Sequence, residues 1–524
     1  MAHGDDTQER AAGPAPAIEL RGISKSFGPV QANKDISLNV ARGTIHGIVG
    51  ENGAGKSTLM SILYGFYKAD RGEVLIGGKP VSIPDSKAAI AAGIGMVHQH
   101  FMLVEPFTVL ENVVLGVEDG PLLRPSLRRA RKLLTSLASE YQMEVDPDAR
   151  VGDLSVGLQQ RVEILKALYR KADVLILDEP TGVLTPDEAD HLFRILKNLK
   201  DEGKTIVLIT HKLREIMAVT DTVSVMRRGE MTATKPTAQT SPEELAELMV
   251  GRSVLLQVDK RPANPGTPLL EVDNICVRDE NGVDKLKDVS FRLHAGEILG
   301  VAGVAGNGQS ELLAALSGMT PTTSGVIRMG GKHIESETEQ AAERRRIGIS
   351  PVPEDRHRMG LVMQFKAWEN TVFGYQNREE FSGPFGSLDR AAIKRDAAGK
   401  IERFDVRPPN PNLKARNFSG GNQQKLVLAR EIERNPDILL VGQPTRGVDI
   451  GAIEFIHQQI VALRDAGKAI LLISVELDEI LSLSDRVLVM LDGRIVGERV
   501  TARTNHQELG MLMAGMTGKP EEAA

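Results

Sequence analysis

The nine residues GENGAGKST, Gly50 to Thr58, have the types and spacing needed to hold the phosphates of a nucleotide. Gly50, Gly53 and Gly55 allow the loop backbone to curl its N–H groups toward phosphate oxygens. A helix beginning behind the loop would add the positive end of its dipole. Glu51, Asn52 and Ala54 fill the intervening positions of the pattern. The Lys56 ammonium can reach the β- and γ-phosphates, the Ser57 hydroxyl can ligate Mg²⁺, and Thr58 follows in the helix. The apolar run IHGIV before the loop and STLMSILYGF after it predict a strand–loop–helix unit. Further on, the apolar run VLIL ends in Asp178 and Glu179. Asp178 is placed to hold the Mg²⁺ shell through water, and Glu179 to polarise an attacking water. His211 in VLITHK follows another apolar run, where it could contact the γ-phosphate or be an ordinary structural histidine. The chemistry these residues suit is hydrolysis of a nucleoside triphosphate.

The elements carrying this chemistry are written twice. ARGTIHGIVGENGAGKS (Ala41–Ser57) matches HAGEILGVAGVAGNGQS (His294–Ser310) at an offset of 253. LSVGLQQR (Leu154–Arg161) matches FSGGNQQK (Phe418–Lys425) at 264, and ELAELMVG (Glu244–Gly251) matches ELGMLMAG (Glu508–Gly515) at the same 264. Such offsets indicate two duplicated domains, the second carrying an insertion of about a dozen residues between its Gly-rich loop and FSGGN. The second loop keeps Gly303, Gly306, Asn307, Gly308 and Ser310 but has Gln309 in place of the lysine. The strand end LLVGQPTRGVD has Gly442 and Gln443 where the first copy has Asp178 and Glu179, and Val475 replaces His211.

In both copies short β-branched runs alternate with longer helical patterns. This predicts a mostly parallel sheet flanked by helices. Between Gln99 and Leu154, charged helical segments such as SLRRARKLLTSLASEYQ interrupt the alternation and predict an inserted helical subdomain. The proline-rich VDKRPANPGTP reads as a linker. The expected domains are therefore 17–255 and 268–516, joined by 256–267, with polar tails at 1–16 and 517–524. The first tail lacks an apolar core, so it reads as disordered and not as a signal peptide. No apolar run reaches bilayer length. Charged residues make up 26% of the 524, and the formal net charge of −6 offers no general attraction to nucleic acid. The single cysteine, Cys276, can form neither an internal disulfide nor a metal cluster by itself. A cytosolic protein is expected.

Lys56, Gln99 in MVHQH, LSVGLQQR, LILDEP and His211 occur in the order found in ATP-binding cassette (ABC) ATPases, and the chain resembles that family over roughly residues 17–516. The resemblance implies two tandem P-loop NTPase cassettes, each an α/β domain with an antiparallel β part and a helical subdomain. It implies ATP and Mg²⁺ as ligands, a P-loop at Gly50–Thr58, and a Q-loop glutamine, Gln99, near the metal with Ser57 and Asp178. It further implies Glu179 as catalytic base, His211 as switch, and an adenine-stacking aromatic for which Phe27 is placed, unless Phe27 is a core residue. In the second copy Asp279 stands where Phe27 stood, and Glu354 in VPEDR replaces the Q-loop glutamine.

Paired cassettes of this family meet head-to-tail, so that each nucleotide lies between one P-loop and the other cassette's signature. Ser419, Gly420, Gly421, Asn422 and Gln423 are close to the family's LSGGQ pattern, whereas Ser155 and Gly157 sit in a signature altered at Val156 and Leu158. The intact loop would thus meet the intact signature, and the degenerate loop the degenerate one. A chain of two cassettes resembles the ATP-binding subunit of sugar and nucleoside importers, most like the nucleoside branch. That implies two transmembrane permease subunits, an extracytoplasmic binding protein or lipoprotein, and a peripheral place on the cytoplasmic face of the membrane. The other expectation weighed is a soluble twin-cassette ATPase acting on ribosomes or nucleic acid. It is disfavoured by the short linker, the degraded second site and the single cysteine.

Overall fold

The computed structural model describes residues 15–28, 30–98, 102–117, 123–141, 143–181, 184, 186–253, 260–304, 306–334, 340–383 and 387–516. Gln99, most of the two tails and part of the expected linker lie outside these residues. The chain divides into two compact units, residues 1–254 and 255–524.

In the first unit a six-stranded sheet runs in the order Glu230–Pro236, Thr222–Arg227, Ile45–Gly50, Thr205–Ile209, Val174–Asp178 and Ile94–Val97. All neighbours are parallel except the first pair. The parallel strands Ile45–Gly50, Val174–Asp178 and Thr205–Ile209 are buried at every residue, as strands covered by helices on both faces must be. Their near-continuous aliphatic sequences follow from that position. A separate antiparallel sheet contains Val30–Val40, Ile18–Phe27, Arg71–Ile76 and Lys79–Pro80. Its inward residues Ile18, Leu20, Ile23, Ile36 and Leu38 pack with Ile48, Leu59 and Leu63 in one core. The helical insertion comprises Val109–Val114, Leu123–Glu140 and Val156–Tyr169. Thr108 starts the first of these helices with a reciprocal capping box to Glu111, which satisfies two otherwise orphaned N–H groups.

The second unit repeats this plan. Its six strands run Ile349–Val352, Ile438–Gly442, Ala469–Ile473, Glu297–Ala302, Arg486–Leu491 and Arg494–Val500. Its antiparallel sheet contains Asp284–His294, Pro268–Arg278, Ser324–Met329 and Lys332–Ile334. The extra residues of this copy are not one insertion. The offset is 253 at Ser57 and Ser310, 255 at the strands beginning Ile94 and Ile349, 258 at the helix caps Thr108 and Lys366, and 264 at Ser155 and Ser419. Growth is spread over all three intervals between these landmarks.

Candidate nucleotide site

In the first unit the chemistry collects at the carboxyl ends of parallel strands, where an open α/β sheet presents its ligand crevice. Ile209 pairs with Ile48 on one side and Asp178 on the other, so the glycine loop and the carboxylates flank a single strand. The loop conformation depends on particular glycines. Gly55 has φ +101°, and a Cβ there would lie 2.3 Å from the Ala32 carbonyl oxygen. The buried Asn33 secures this turn by donating from Nδ2 to the Gly55 carbonyl at 3.1 Å. Asn33 was not singled out in the sequence. Its one signal is a polar residue that the strand pattern turns inward.

Lys56 is buried inside the loop, its Nζ donating to the carbonyls of Gly50 (2.6 Å) and Glu51 (3.1 Å). Burial lowers its pKa from the ordinary lysine value, while Glu179, Asp178 and Glu51 oppose that shift. Asp178 is pushed up, chiefly by burial and also by the Glu179 charge, against a hydrogen bond from Ser57 and the charge of Lys56. The Ser57 hydroxyl and the Asp178 carboxylate therefore adjoin, a donor pair that fits Mg²⁺ beside a phosphate chain.

Glu179 has a left-handed backbone, φ +47°, fixed by its N–H donating to the Ile209 carbonyl at 2.8 Å. Its carboxylate lies 2.9 Å from His211 Nδ1. Burial would raise its pKa, yet the His211 hydrogen bond and charge, with Lys56 and Lys212, hold it below the usual value. Glu179 is accordingly ionised near neutral pH, the state a general base requires. Phe27 is 42% exposed and so is not a core aromatic. Its ring meets Tyr67 edge-on, with centroids 5.1 Å apart, and Tyr67 is an aromatic neighbour the sequence reading missed. Ser155 caps the helix Val156–Tyr169, and a Cβ on Gly157 would fall 2.5 Å from the Glu188 carboxylate.

Residues 33–182 and 286–446 match the family model described as ABC transporter. The chain is 48% identical to the guanosine import ATP-binding protein NupO of Bacillus subtilis (strain 168), over 96% of this chain and 98% of that one. It is also 48% identical to the nucleoside import ATP-binding protein NupA of Lactococcus lactis subsp. cremoris (strain MG1363), over 95% and 98%. The glucose import ATP-binding protein TsgD13 of Haloferax volcanii is 43% identical, over 95% and 96%. The chain belongs to the ABC transporter family. As an ABC ATPase of two fused cassettes it binds and hydrolyses ATP.

The second ABC cassette keeps the backbone of the first site and exchanges its side chains. Gly306 and Gly308 have φ +91° and +102°, close to the +82° and +101° of Gly53 and Gly55. Gln309 is buried like Lys56, with Nε2 donating to the Val304 carbonyl at 3.1 Å. Asn307 ties the loop to the distant turn between the strands Arg486–Leu491 and Arg494–Val500, its Oδ1 accepting from the Asp492 N–H at 3.0 Å. Gln443 repeats the Glu179 conformation, with φ +47° and its N–H on the Ile473 carbonyl. Val475 beside it offers no ionisable group. Asp279, at the Phe27 position, caps its own turn by accepting from the N–H groups of Asn281 and Val283.

The signature of the second cassette begins a helix, Gly420–Ile432, with Ser419 as its N-cap. The Ser419 Oγ accepts from Asn422 Nδ2 at 2.8 Å, and Asn422 Oδ1 accepts from the Arg407 N–H at 2.7 Å. A Cβ at Gly420 would meet the Gly447 carbonyl oxygen at 2.7 Å, and one at Gly421 the Asp449 carboxylate at 2.9 Å. Gln423 is buried, donating to the carbonyls of Ala415 and Phe418 and accepting from His357 Nε2. Its side chain therefore sets the start of the helix from inside its own cassette. Arg356 braces the same place, donating to the carbonyls of Arg446 (2.6 Å) and Gly447 (3.4 Å).

Gly442 cannot simply be restored to aspartate. A Cβ there would lie 2.6 Å from Glu354 Cγ and 2.6 Å from Leu313 Cδ2. Gly442→Asp is expected to destabilise the chain by about 1–3 kcal/mol, the usual cost of overpacking. Thermal denaturation of the purified protein checks this; a variant as stable as the parent would show that the space is not closed.

Proposed function

We propose that this chain is the ATP-hydrolysing subunit of an importer that takes up nucleosides, or related simple sugars, through a membrane permease. One nucleotide site, built on Lys56, Ser57, Asp178 and Glu179, performs the hydrolysis, with Mg²⁺ held by Ser57 and Asp178 together with Gln99. The reading rests on near-full-length identity to two proteins named for guanosine and nucleoside import. It is supported by the ionised Glu179 beside His211, against Gln443 beside Val475 in the second cassette.

In this reading two permease subunits and an extracytoplasmic binding protein complete the importer, and the chain sits on the cytoplasmic face of the membrane. No helix among the described residues is long and apolar enough to cross a membrane. Phe27 stacks on adenine, His211 contacts the γ-phosphate, and Ser419 and Gly421 complete the first site from the second cassette. A Mg²⁺ held by Ser57 and Asp178 would neutralise phosphate charge, while the protein supplies position and a base.

Co-purification with the permease from its own gene neighbourhood, followed by an ATPase assay, tests the assignment. Nucleosides are expected to stimulate turnover. Stimulation by glucose or ribose with no response to nucleosides would move the substrate class, and absence of any associated membrane protein would overturn the importer reading. Within the same assay, Lys56→Ala is expected to weaken ATP binding and stop transport, because it removes a full positive charge from the phosphate site. Gln309→Ala should have a much smaller effect on hydrolysis, since that charge is already missing. Equal damage from the two changes would contradict a single competent site.

A further inference from the structure

The chain just beyond Glu179 is fastened from two sides in the first cassette. Pro180 offers its carbonyl to the buried Gln160, whose Nε2 donates at 2.8 Å from the helix Val156–Tyr169. Thr181 donates its hydroxyl to the buried carboxylate of Glu215, on the helix Leu213–Val219. That helix starts two residues after His211. One carboxylate thus joins the segment that follows the candidate base to the segment that follows its histidine partner.

The second cassette has the same glutamine and glutamate, 264 residues on, and uses neither in this way. Among the described residues, the buried Gln424 has no hydrogen-bond partner at Nε2. Glu479 bonds instead to His457 Nε2 at 3.0 Å, a histidine standing where the first cassette has Phe193. The turn at Gln443 nevertheless keeps φ +47° and its bond to the Ile473 carbonyl. The two fastenings are therefore not needed to form the turn. They accompany the ionisable pair, Glu179 and His211, and are missing where that pair is missing.

We propose that Glu215 and Gln160 are positioning residues for hydrolysis, holding Pro180 and Thr181 so that the Glu179 carboxylate keeps a fixed aim beside His211. The proposal rests on the reading of Glu179 as the base. Placement matters because a shift of about 1 Å in a reacting group can cost about a hundredfold in rate. Glu215 and Gln160 act through the loop and not on the nucleotide, so their loss should fall on kcat and spare ATP binding.

ATP turnover by the assembled transporter tests this, with thermal denaturation to show that each variant is folded. Thr181→Val removes the hydroxyl that reaches Glu215 and keeps the size of the side chain. It should lower kcat about tenfold while KM for ATP stays within about twofold, and Thr181→Ser should restore most of the rate. Gln160→Met should lower kcat in the same way, whereas Gln424→Met in the second cassette should leave turnover unchanged. In a Glu179→Gln chain followed by single-turnover hydrolysis, adding Thr181→Val should cost less than about twofold, because the base it positions is already gone. A Thr181→Val chain with parental kcat would overturn the proposal. So would a change confined to KM, equal losses from Gln160→Met and Gln424→Met, or a Thr181→Val loss that is undiminished in the Glu179→Gln chain. Failure of the underlying reading is seen separately, as Glu179→Gln protein that turns over at the parental rate.

Discussion

Glu179→Gln is expected to reduce steady-state ATP turnover by about a hundredfold or more while ATP still binds. The change keeps the size and hydrogen-bonding shape of the side chain and removes the basic oxygen that would take a proton from water. Backbone strain does not confuse the result. Gln443 adopts the same left-handed conformation in the second cassette, so glutamine is already known to fit this turn. His211 would retain a partner at Nδ1, now an amide. Each tenfold loss corresponds to about 1.4 kcal/mol of transition-state stabilisation. Turnover within about threefold of the parent would show that another group activates the water.

Ser419→Arg is expected to cripple hydrolysis about as severely as Lys56→Ala, although the first cassette is untouched. In the proposed head-to-tail pairing the Ser419 hydroxyl reaches a γ-phosphate oxygen, and Gly421 permits close approach of a helix N-terminus. Ser419 is exposed at the start of its helix. Its hydroxyl is held by Asn422 on a helix whose start is braced by Gln423 and Arg356. Ser155→Arg, in the altered signature, should be tolerated far better, because the site it faces has little chemistry to lose. The two variants are compared by ATPase rate in the assembled transporter. An active Ser419 variant beside a dead Ser155 variant would reverse the pairing.

The sequence made the glycine loop legible because its constraints are local. A lysine, a hydroxyl and glycines at fixed spacing between strand and helix leave few other uses. Asp178, Glu179 and His211 were readable because they lie at or just beyond the ends of apolar runs; Asp178 closes its buried strand and His211 follows the strand Thr205–Ile209. Asn33 and Tyr67 were not readable, because their partners Gly55 and Phe27 are distant in sequence and no motif joins them. The hydrogen bond from the Ser310 hydroxyl to the Glu354 carboxylate, at 2.5 Å, was missed for a related reason. Comparing the copies column by column records a lost glutamine and a lost aspartate as two defects. Only the sheet order, which sets the strand Ile349–Val352 beside Ile438–Gly442, shows that one replacement fills the space left by the other. The single insertion inferred from matched segments proved to be several short ones, since offsets between distant motifs report total length but not its distribution.

The central claim is that each chain hydrolyses ATP at one site built on Lys56. Vanadate replaces the departing phosphate and traps ADP wherever hydrolysis occurs, so the trapped ADP can be counted in the purified transporter. One ADP per chain is expected, abolished by Lys56→Ala and retained by Gln309→Ala. Two ADP per chain, or trapping that survives Lys56→Ala and is lost with Gln309→Ala, would contradict the account.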